Sequence, residues 1–205
     1  MCGRFEQNLT GAEVARRFGL AVPPQVPPQV PPQVSSEVPG GTVRPTQRAL
    51  AVTAGRDGGR VAGRLRFGLS VDWQAGPVIN ARAETLAEKA TFRRLLGQRC
   101  LVPVSAWIEW RVDAAGGRHP NRLGGAGVLA LAALWRAEEL VIVTCAASPA
   151  VARVHDRMPV VLDGPGAEAA WIDPGRDFGE VAGLLVPYRG ALEVKEDPPA
   201  QAALF

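Results

Sequence analysis

The chain has 205 residues, a hydrophobic share of 47%, a charged share of 21% and a net charge of +3, which describes one globular domain, with or without insertions, and enough apolar residue for a real core. Three cysteines, Cys2, Cys100 and Cys145, show no CxxC spacing, so a disulfide scaffold and a zinc ribbon are excluded and no metal or cofactor is expected. No charged segment followed by an apolar one opens the chain, and no apolar run reaches ~18 residues, so a cytoplasmic protein without a membrane span is expected. Of the 23 basic residues all but Lys89 and Lys195 are arginine; the planar guanidinium suits phosphate, although GC-rich codon usage leaves the same signature.

The chain opens on Met1-Cys2-Gly3-Arg4-Phe5. Once Met1 is removed, Cys2 carries an α-amine and a thiol on adjacent carbons. Such a 1,2-aminothiol condenses with an aldehyde to an imine, and the thiol then closes a five-membered thiazolidine. A free α-amine titrates near ~8 and a free thiol near ~8.5, so both are partly reactive at neutral pH. On position alone, Cys2 reads equally as a small apolar residue at a frayed end.

Thr10-Gly11-Ala12-Glu13 is a capping box, and Val14, Phe18 and Gly19 complete a short helix over 11–19. Val22-Pro23-Pro24-Gln25 is then repeated through Val34. Proline at this density forbids helix and central strand, so residues 22–36 read as an extended surface insertion. Strands follow over 49–53 and 60–67, the second alternating Val61, Gly63, Leu65 and Phe67 with arginines. Asn80-Ala81-Arg82-Ala83-Glu84 leads to a second capping box, Thr85 to Glu88, and a helix ending near Leu96. Arg99 to Ser105 reads as a strand, continued by Trp107-Ile108-Glu109-Trp110. The segment around His119 reads as a solvent-facing loop. Two buried strands, 128–135 and 140–146, form a hairpin. Ser148-Pro149 starts a short helix ending near His155. A strand over 158–162, helices over 167–172 and 178–185, and a strand over 191–194 complete one domain, 2–195, with a tail from 196. Many short strands with few βαβ spacings predict an α+β fold with a curved, mostly antiparallel, barrel-like sheet.

Polar residues embedded in apolar sequence mark candidate sites. Glu109 lies among tryptophans, where desolvation raises a carboxyl pKa and suits it to proton transfer; an exposed strand residue is the alternative. His155 and Asn80 have equally plain structural readings, as a structural histidine and a helix cap. Cys100 and Cys145 read as buried strand thiols.

Met1-Cys2-Gly3-Arg4-Phe5, Pro45-Thr46-Gln47, Asn80-Ala81-Arg82-Ala83-Glu84-Thr85, Arg99-Cys100-Leu101-Val102-Pro103 leading to Glu109-Trp110, and His155-Asp156-Arg157-Met158-Pro159-Val160 occur in this order. In this the chain resembles the SRAP family, the SOS-response-associated peptidases or abasic-site processing proteins. The resemblance implies binding of single-stranded DNA and covalent attachment to abasic sites through Cys2. It casts Asn80 as orienting the terminal amine, Glu109 as proton shuttle, and His155 as assisting sugar opening and reversal or lyase chemistry. It assigns Arg4, Arg82 and Arg157 to flanking phosphates, and Trp73 and Pro45 to an apolar platform for an unstacked base. It further implies self-removal of Met1 by a peptidase activity, a monomer, and association with the nucleoid when DNA is bound. Three positions depart from the family pattern: Gly41-Thr42 for Tyr-Asn, Phe67 for tryptophan, and Trp107-Ile108 for Phe-Tyr. Two rival readings remain at this point: a thiol hydrolase built on Cys2 and His155, and a non-covalent single-strand binder.

Overall fold

A computed structural model describes residues 2–20 and 41–196. Met1, the Pro-Pro-Gln insertion and the tail after Glu196 lie outside the described residues. Among the described residues ten strands form one sheet: β1 (Arg4–Glu6), β2 (Thr42–Val43), β3 (Arg48–Ala54), β4 (Arg60–Phe67), β5 (Asn80–Arg82), β6 (Arg99–Val112), β7 (Arg118–Arg136), β8 (Glu139–Ala146), β9 (Arg157–Pro159) and β10 (Glu193–Glu196). Strands β6, β3, β4, β8 and β7 pair in turn, and a β6–β7 pairing closes them into a ring. Only β4–β8 and β5–β8 are parallel among these pairings. The expected α+β, curved and mostly antiparallel sheet is therefore the fold. Closure removes most sheet edges, and the large residues Phe5, Phe67, Leu101, Trp107, Leu123, Leu131 and Leu140 are fully buried.

The ladder of the ring is sparsest at β3–β6, where Val52 faces Leu101 in a single register pair. Pro103 lacks an N–H, so the ladder fails beside it. The buried Gln7 side chain bridges this gap, donating to the Leu50 and Pro103 carbonyls at 3.0 and 2.8 Å and accepting from the Leu50 N–H at 2.8 Å. The same contacts tie the chain end to the barrel. Strand β1 runs antiparallel to β6 with Arg4 opposite Ile108 and Phe5 opposite Trp107, and the Phe5 ring meets Phe67 edge-on at 5.1 Å.

Helix α1 (Gly11–Phe18) carries the predicted capping box, and Gly19 closes it at φ 61°. The long helix expected after Thr85 does not form. A single 3-10 turn at 83–85 is followed by the four-residue α2 (Ala90–Arg93). The buried residues Leu86, Phe92 and Leu95 do not fall on one helical stripe, so the segment packs turn by turn. The loop expected around His119 is instead strand. β7 pairs with β6 as far as Arg118, and His119 bonds Asp113 at 2.7 Å. At the β6–β7 register shift between Val104 and Ala106, Gly124 admits the bulge, because a Cβ there would lie 2.8 Å from the Ser105 carbonyl.

Short helices α3 (Pro149–Ala152), α4 (Gly164–Ile172) and α5 (Phe178–Val181) flank the sheet. Buried Arg99 caps the end of α4, donating to the carbonyls of Trp171, Asp173 and Arg176 as well as Leu96. Helix α1 is fastened to α4 by Arg17, whose guanidinium forks onto the fully buried Glu168, with Arg60 of β4 3.9 Å from the same carboxylate. Glu168→Ala leaves two half-buried cations unpaired and is expected to destabilise the fold by roughly 3 kcal/mol, or about 6–12 °C in Tm. A thermal melt within about 2 °C of the parent would show the clamp to be dispensable.

Candidate active site

The site lies where the N-terminal strand meets the middle of β6. Trp107 and Glu109 are two residues apart and so share a face of the strand. Trp107 faces Phe5 across β1 and Leu123 across β7, which puts Glu109 on the interior side. The β1–β6 register, continued one residue past Arg4, brings Gly3 opposite Glu109. Cys2 is fully buried, with its thiol 3.8 Å from the Arg4 carbonyl.

Burial pushes the Cys2 thiol well up, and the neighbouring Glu109 charge adds to the rise. This corrects the expectation of an ordinary thiol, which assumed a solvated terminus. Glu109 is 1% exposed. Burial pushes its carboxyl up to about 7, and the Asp156 charge adds to it. A buried carboxyl titrating near neutrality both gives and takes protons under working conditions. The desolvated reading of Glu109 is therefore the one the structure bears out.

Asp156 links this pair to His155. The His155 Nδ1 accepts the Arg157 backbone N–H at 2.9 Å, and the Asp156 carboxylate lies 2.8 Å from the same nitrogen. The N–H selects the neutral ring with its proton on Nε2, whereas Asp156 favours the imidazolium. Burial holds the His155 pKa below its usual value, so the neutral ring prevails.

Asn80 and Arg82 enter on β5, which lies parallel to β8 with Asn80 beside Ile142 and Arg82 beside Thr144. Neither Oδ1 nor Nδ2 of Asn80 has a hydrogen-bond partner among the described residues, and the same holds for Trp107 Nε1. Leaving such atoms dry costs about 1–3 kcal/mol each, a tension typical of sites shaped for a ligand. Arg157 on β9 donates to both Glu84 oxygens at 2.7 and 2.8 Å and to the Thr144 carbonyl at 2.9 Å. Its side chain is thus already engaged with a carboxylate. The Arg157 hydrogen bonds, with a smaller contribution from the Arg82 charge, hold the Glu84 carboxyl below its usual range.

Arg4 lies over the Trp110 ring at 4.7 Å, and Arg118 lies over the same ring at 5.6 Å. Arg118 gave no signal in the sequence, since the strand that presents it read as a loop. Pro45 occupies a turn closed by the Gln47 N–H on the Arg44 carbonyl at 3.1 Å, with Thr46 at φ 75°, a conformation that strains a β-branched residue. Trp73 is 65% exposed, in the excursion between Leu69 and Val78. Direct contacts and charge interactions run from Cys2 through Glu109 and Asp156 to His155, and on through Arg157 to Glu84 and Arg82. Pro45 and Trp73 stand outside that chain. Cys100 and Cys145 are buried, as read, with thiols raised by desolvation. No group of three or more potential metal ligands occurs among the described residues, and no helix there is long and apolar enough to cross a membrane.

The chain is similar to abasic site processing protein YoqW of Bacillus subtilis, with 31% identity over 206 residues covering 92% of this chain and 88% of that protein. It is also similar to abasic site processing protein HMCES of Xenopus tropicalis, with 27% identity covering 60% of this chain and 47% of that one. Among solved structures, a phage-related protein of Bordetella bronchiseptica superposes with a TM-score of 0.75 at 24% identity, covering 97% of this chain and 95% of its own. A Bacteroides thetaiotaomicron protein does so at 0.76 and 21%, covering 95% and 91%. Both show the same fold. The family model described as SOS response associated peptidase (SRAP) matches residues 1–197, and on that match and these relatives the chain belongs to the SRAP family.

Proposed function

We propose that this protein processes abasic sites in single-stranded DNA by closing a thiazolidine between Cys2 and the ring-opened sugar. The observation that carries the reading is Cys2 held beside a buried carboxyl that titrates near 7. Relatives named as abasic site processing proteins support it.

Removal of Met1 frees the Cys2 amine. The amine adds to the C1′ aldehyde, and the carbinolamine loses its hydroxyl as water to give an imine. The sulfur then adds to the imine carbon, and the thiol proton passes to the nitrogen. One C–N and one C–S bond form, one water leaves, and no oxidant is needed. Glu109 donates a proton to the departing hydroxyl and, once ionised, takes the proton of the thiol. Deprotonation by a neighbour matters here because burial keeps the sulfur protonated. The Nε2–H of His155 assists opening of the sugar ring and the protonations of reversal or strand-cleaving lyase chemistry. The Asn80 amide orients the terminal amine. Arg4 and Arg82 bind flanking phosphates, and Arg157 exchanges Glu84 for phosphate when the strand is bound. Trp73 and Pro45 provide the apolar platform. Met1 is released by the same site acting as a peptidase on its own chain.

The hydrolase alternative is disfavoured by the direction of the thiol shift, since a thiolate nucleophile needs a lowered pKa. Intact-mass measurement of the purified protein, with and without abasic single-stranded DNA, tests the proposal. The expected masses are the chain less Met1, and the sum of that chain and the oligonucleotide less one water. A protein that retains Met1 and gains no DNA mass would refute it.

A further inference from the structure

A second polar recess adjoins the catalytic groups. Its volume is about 280 Å3, and it is lined by Arg111, Asn121, Arg153, Val154, Val194 and Glu196. That volume corresponds to about nine waters at roughly 30 Å3 each. The recess meets the active site along two elements. Asn121 stands opposite Glu109 in the β6–β7 register, and Arg111 follows Glu109 by two residues on the same face. Val154 immediately precedes His155.

Two guanidiniums line this recess. Arg111 donates from Nε and Nη2 to one oxygen of Glu196, at 3.1 and 2.7 Å. Arg153, at the end of α3 and exposed, has no carboxylate partner among the described residues. Asn121 is 4% exposed, and its Nδ2 donates to the His119 carbonyl at 3.0 Å. Arg111 holds the Glu196 carboxyl below its usual range. An oxyanion therefore already sits on the arginine fork. It comes from the last residue of β10, a four-residue strand at the edge of the sheet, paired to β7 alone.

We infer that this recess is a second anion subsite, in which Arg111 and Arg153 take a backbone phosphodiester of the bound strand and the Glu196 carboxylate holds Arg111 until that phosphate displaces it. The inference rests on the proposed binding of DNA at Cys2. Arg111 and Asn121 adjoin Glu109 in the β6–β7 register and Arg153 lies two residues before His155, so the recess neighbours the groups that would engage the strand, and a forked guanidinium binds phosphate oxygens as it binds the Glu196 oxygen.

The test uses the full-length, Met1-processed protein and an oligonucleotide with a tetrahydrofuran abasic analogue, which has no aldehyde and so binds reversibly. Arg153→Gln is expected to weaken binding roughly fivefold and to reduce the slope of log K against log salt by about 0.7, one single-strand phosphate contact. Glu196→Gln is expected to tighten binding several-fold. A single methylphosphonate beside the lesion is expected to weaken the parent at least as much as Arg153→Gln does, and to cost the variant, which keeps only Arg111, less than it costs the parent. An unchanged salt slope in Arg153→Gln, or weaker binding by Glu196→Gln, would overturn the subsite. So would a methylphosphonate scan without effect in which inorganic phosphate, at fixed ionic strength, still raises the parent's Tm and not the variant's; that pattern would mark a site for free anions. Covalent capture of a true abasic oligonucleotide by the parent and by Arg153→Gln at saturating DNA keeps the two proposals apart. Its absence in the parent sinks the crosslinking reading, whereas capture with an unchanged slope sinks only the subsite.

Discussion

Cys2→Ala is expected to abolish the heat- and denaturant-resistant adduct with abasic single-stranded DNA while leaving a species that borohydride traps. The reasoning separates nitrogen from sulfur. Alanine at position 2 is small enough for a methionine aminopeptidase to remove Met1 even if self-processing is lost, so the α-amine is still exposed and the imine forms. Without sulfur the ring has no second bond to the sugar carbon, and the imine hydrolyses on denaturation. Cys2→Ser keeps the amine and offers a hydroxyl, a far poorer nucleophile than the thiol, so its stable adduct is expected to fall by at least about 100-fold. Although Cys2 is buried, alanine removes only a single sulfur, so the fold is expected to stay intact at a small cavity cost. Gel electrophoresis after boiling, with and without prior borohydride, reads all three proteins. A boiling-resistant band at parental intensity from Cys2→Ala would end the thiazolidine mechanism.

Glu109→Gln is expected to slow adduct formation by about 100-fold, within the range of general acid–base contributions, and to alter its pH dependence. The carboxyl titrates near 7 because burial opposes its charge. As the acid for carbinolamine dehydration it acts in its protonated form, so this contribution falls as pH rises through 7. The Cys2 amine must be neutral, so its contribution rises toward ~8. The product is a bell with its maximum between about 7 and 8. The glutamine variant loses the descending limb, and its residual rate climbs with pH up to the amine pKa. A bell with the same two limbs in the variant would remove Glu109 from the proton transfers.

The same group makes a stability prediction of opposite sign. A folded-state pKa raised from 4.5 to about 7 means that Glu109 supports the fold fully below 4.5 and that this support is lost as pH rises through 7. The difference corresponds to roughly 3 kcal/mol. Glu109→Gln, neutral at every pH, is therefore expected to be more stable than the parent at pH 8 by a few kcal/mol and closely matched to it at pH 5. Activity lost and stability gained at one position is the pattern of a residue retained for chemistry.

Local order was legible in the sequence wherever a short-range rule governs it. Thr10 and Glu13 specify the start of α1 within three residues, and Gly19 ends it by adopting the left-handed conformation. The hairpin of β7 and β8 follows from two apolar runs separated by a polar turn. Where burial is set by distant partners, sequence pattern misled. The Gly- and Arg-rich stretch from His119 to Gly127 lacks strand character by itself. It becomes strand because β6 on one side and β10 on the other supply its hydrogen bonds. The helix expected after Thr85 fails for the converse reason, since Leu86, Phe92 and Leu95 are all buried in the core although they do not lie on one helical stripe.

By itself the amino-acid order determined which groups are available: a cysteine at position 2, a carboxyl among tryptophans, a histidine beside Asp156 and Arg157, and a mostly antiparallel sheet to carry them. Covalent chemistry and nearest-neighbour propensities suffice for that much. Only the closed barrel decided how those atoms ionise. It buries Cys2 and Glu109 together, raising both, and commits Arg157 to Glu84 and Arg111 to Glu196. Desolvation and charge pairing depend on what lies within a few ångströms in space, and 107 positions separate Cys2 from Glu109 along the chain.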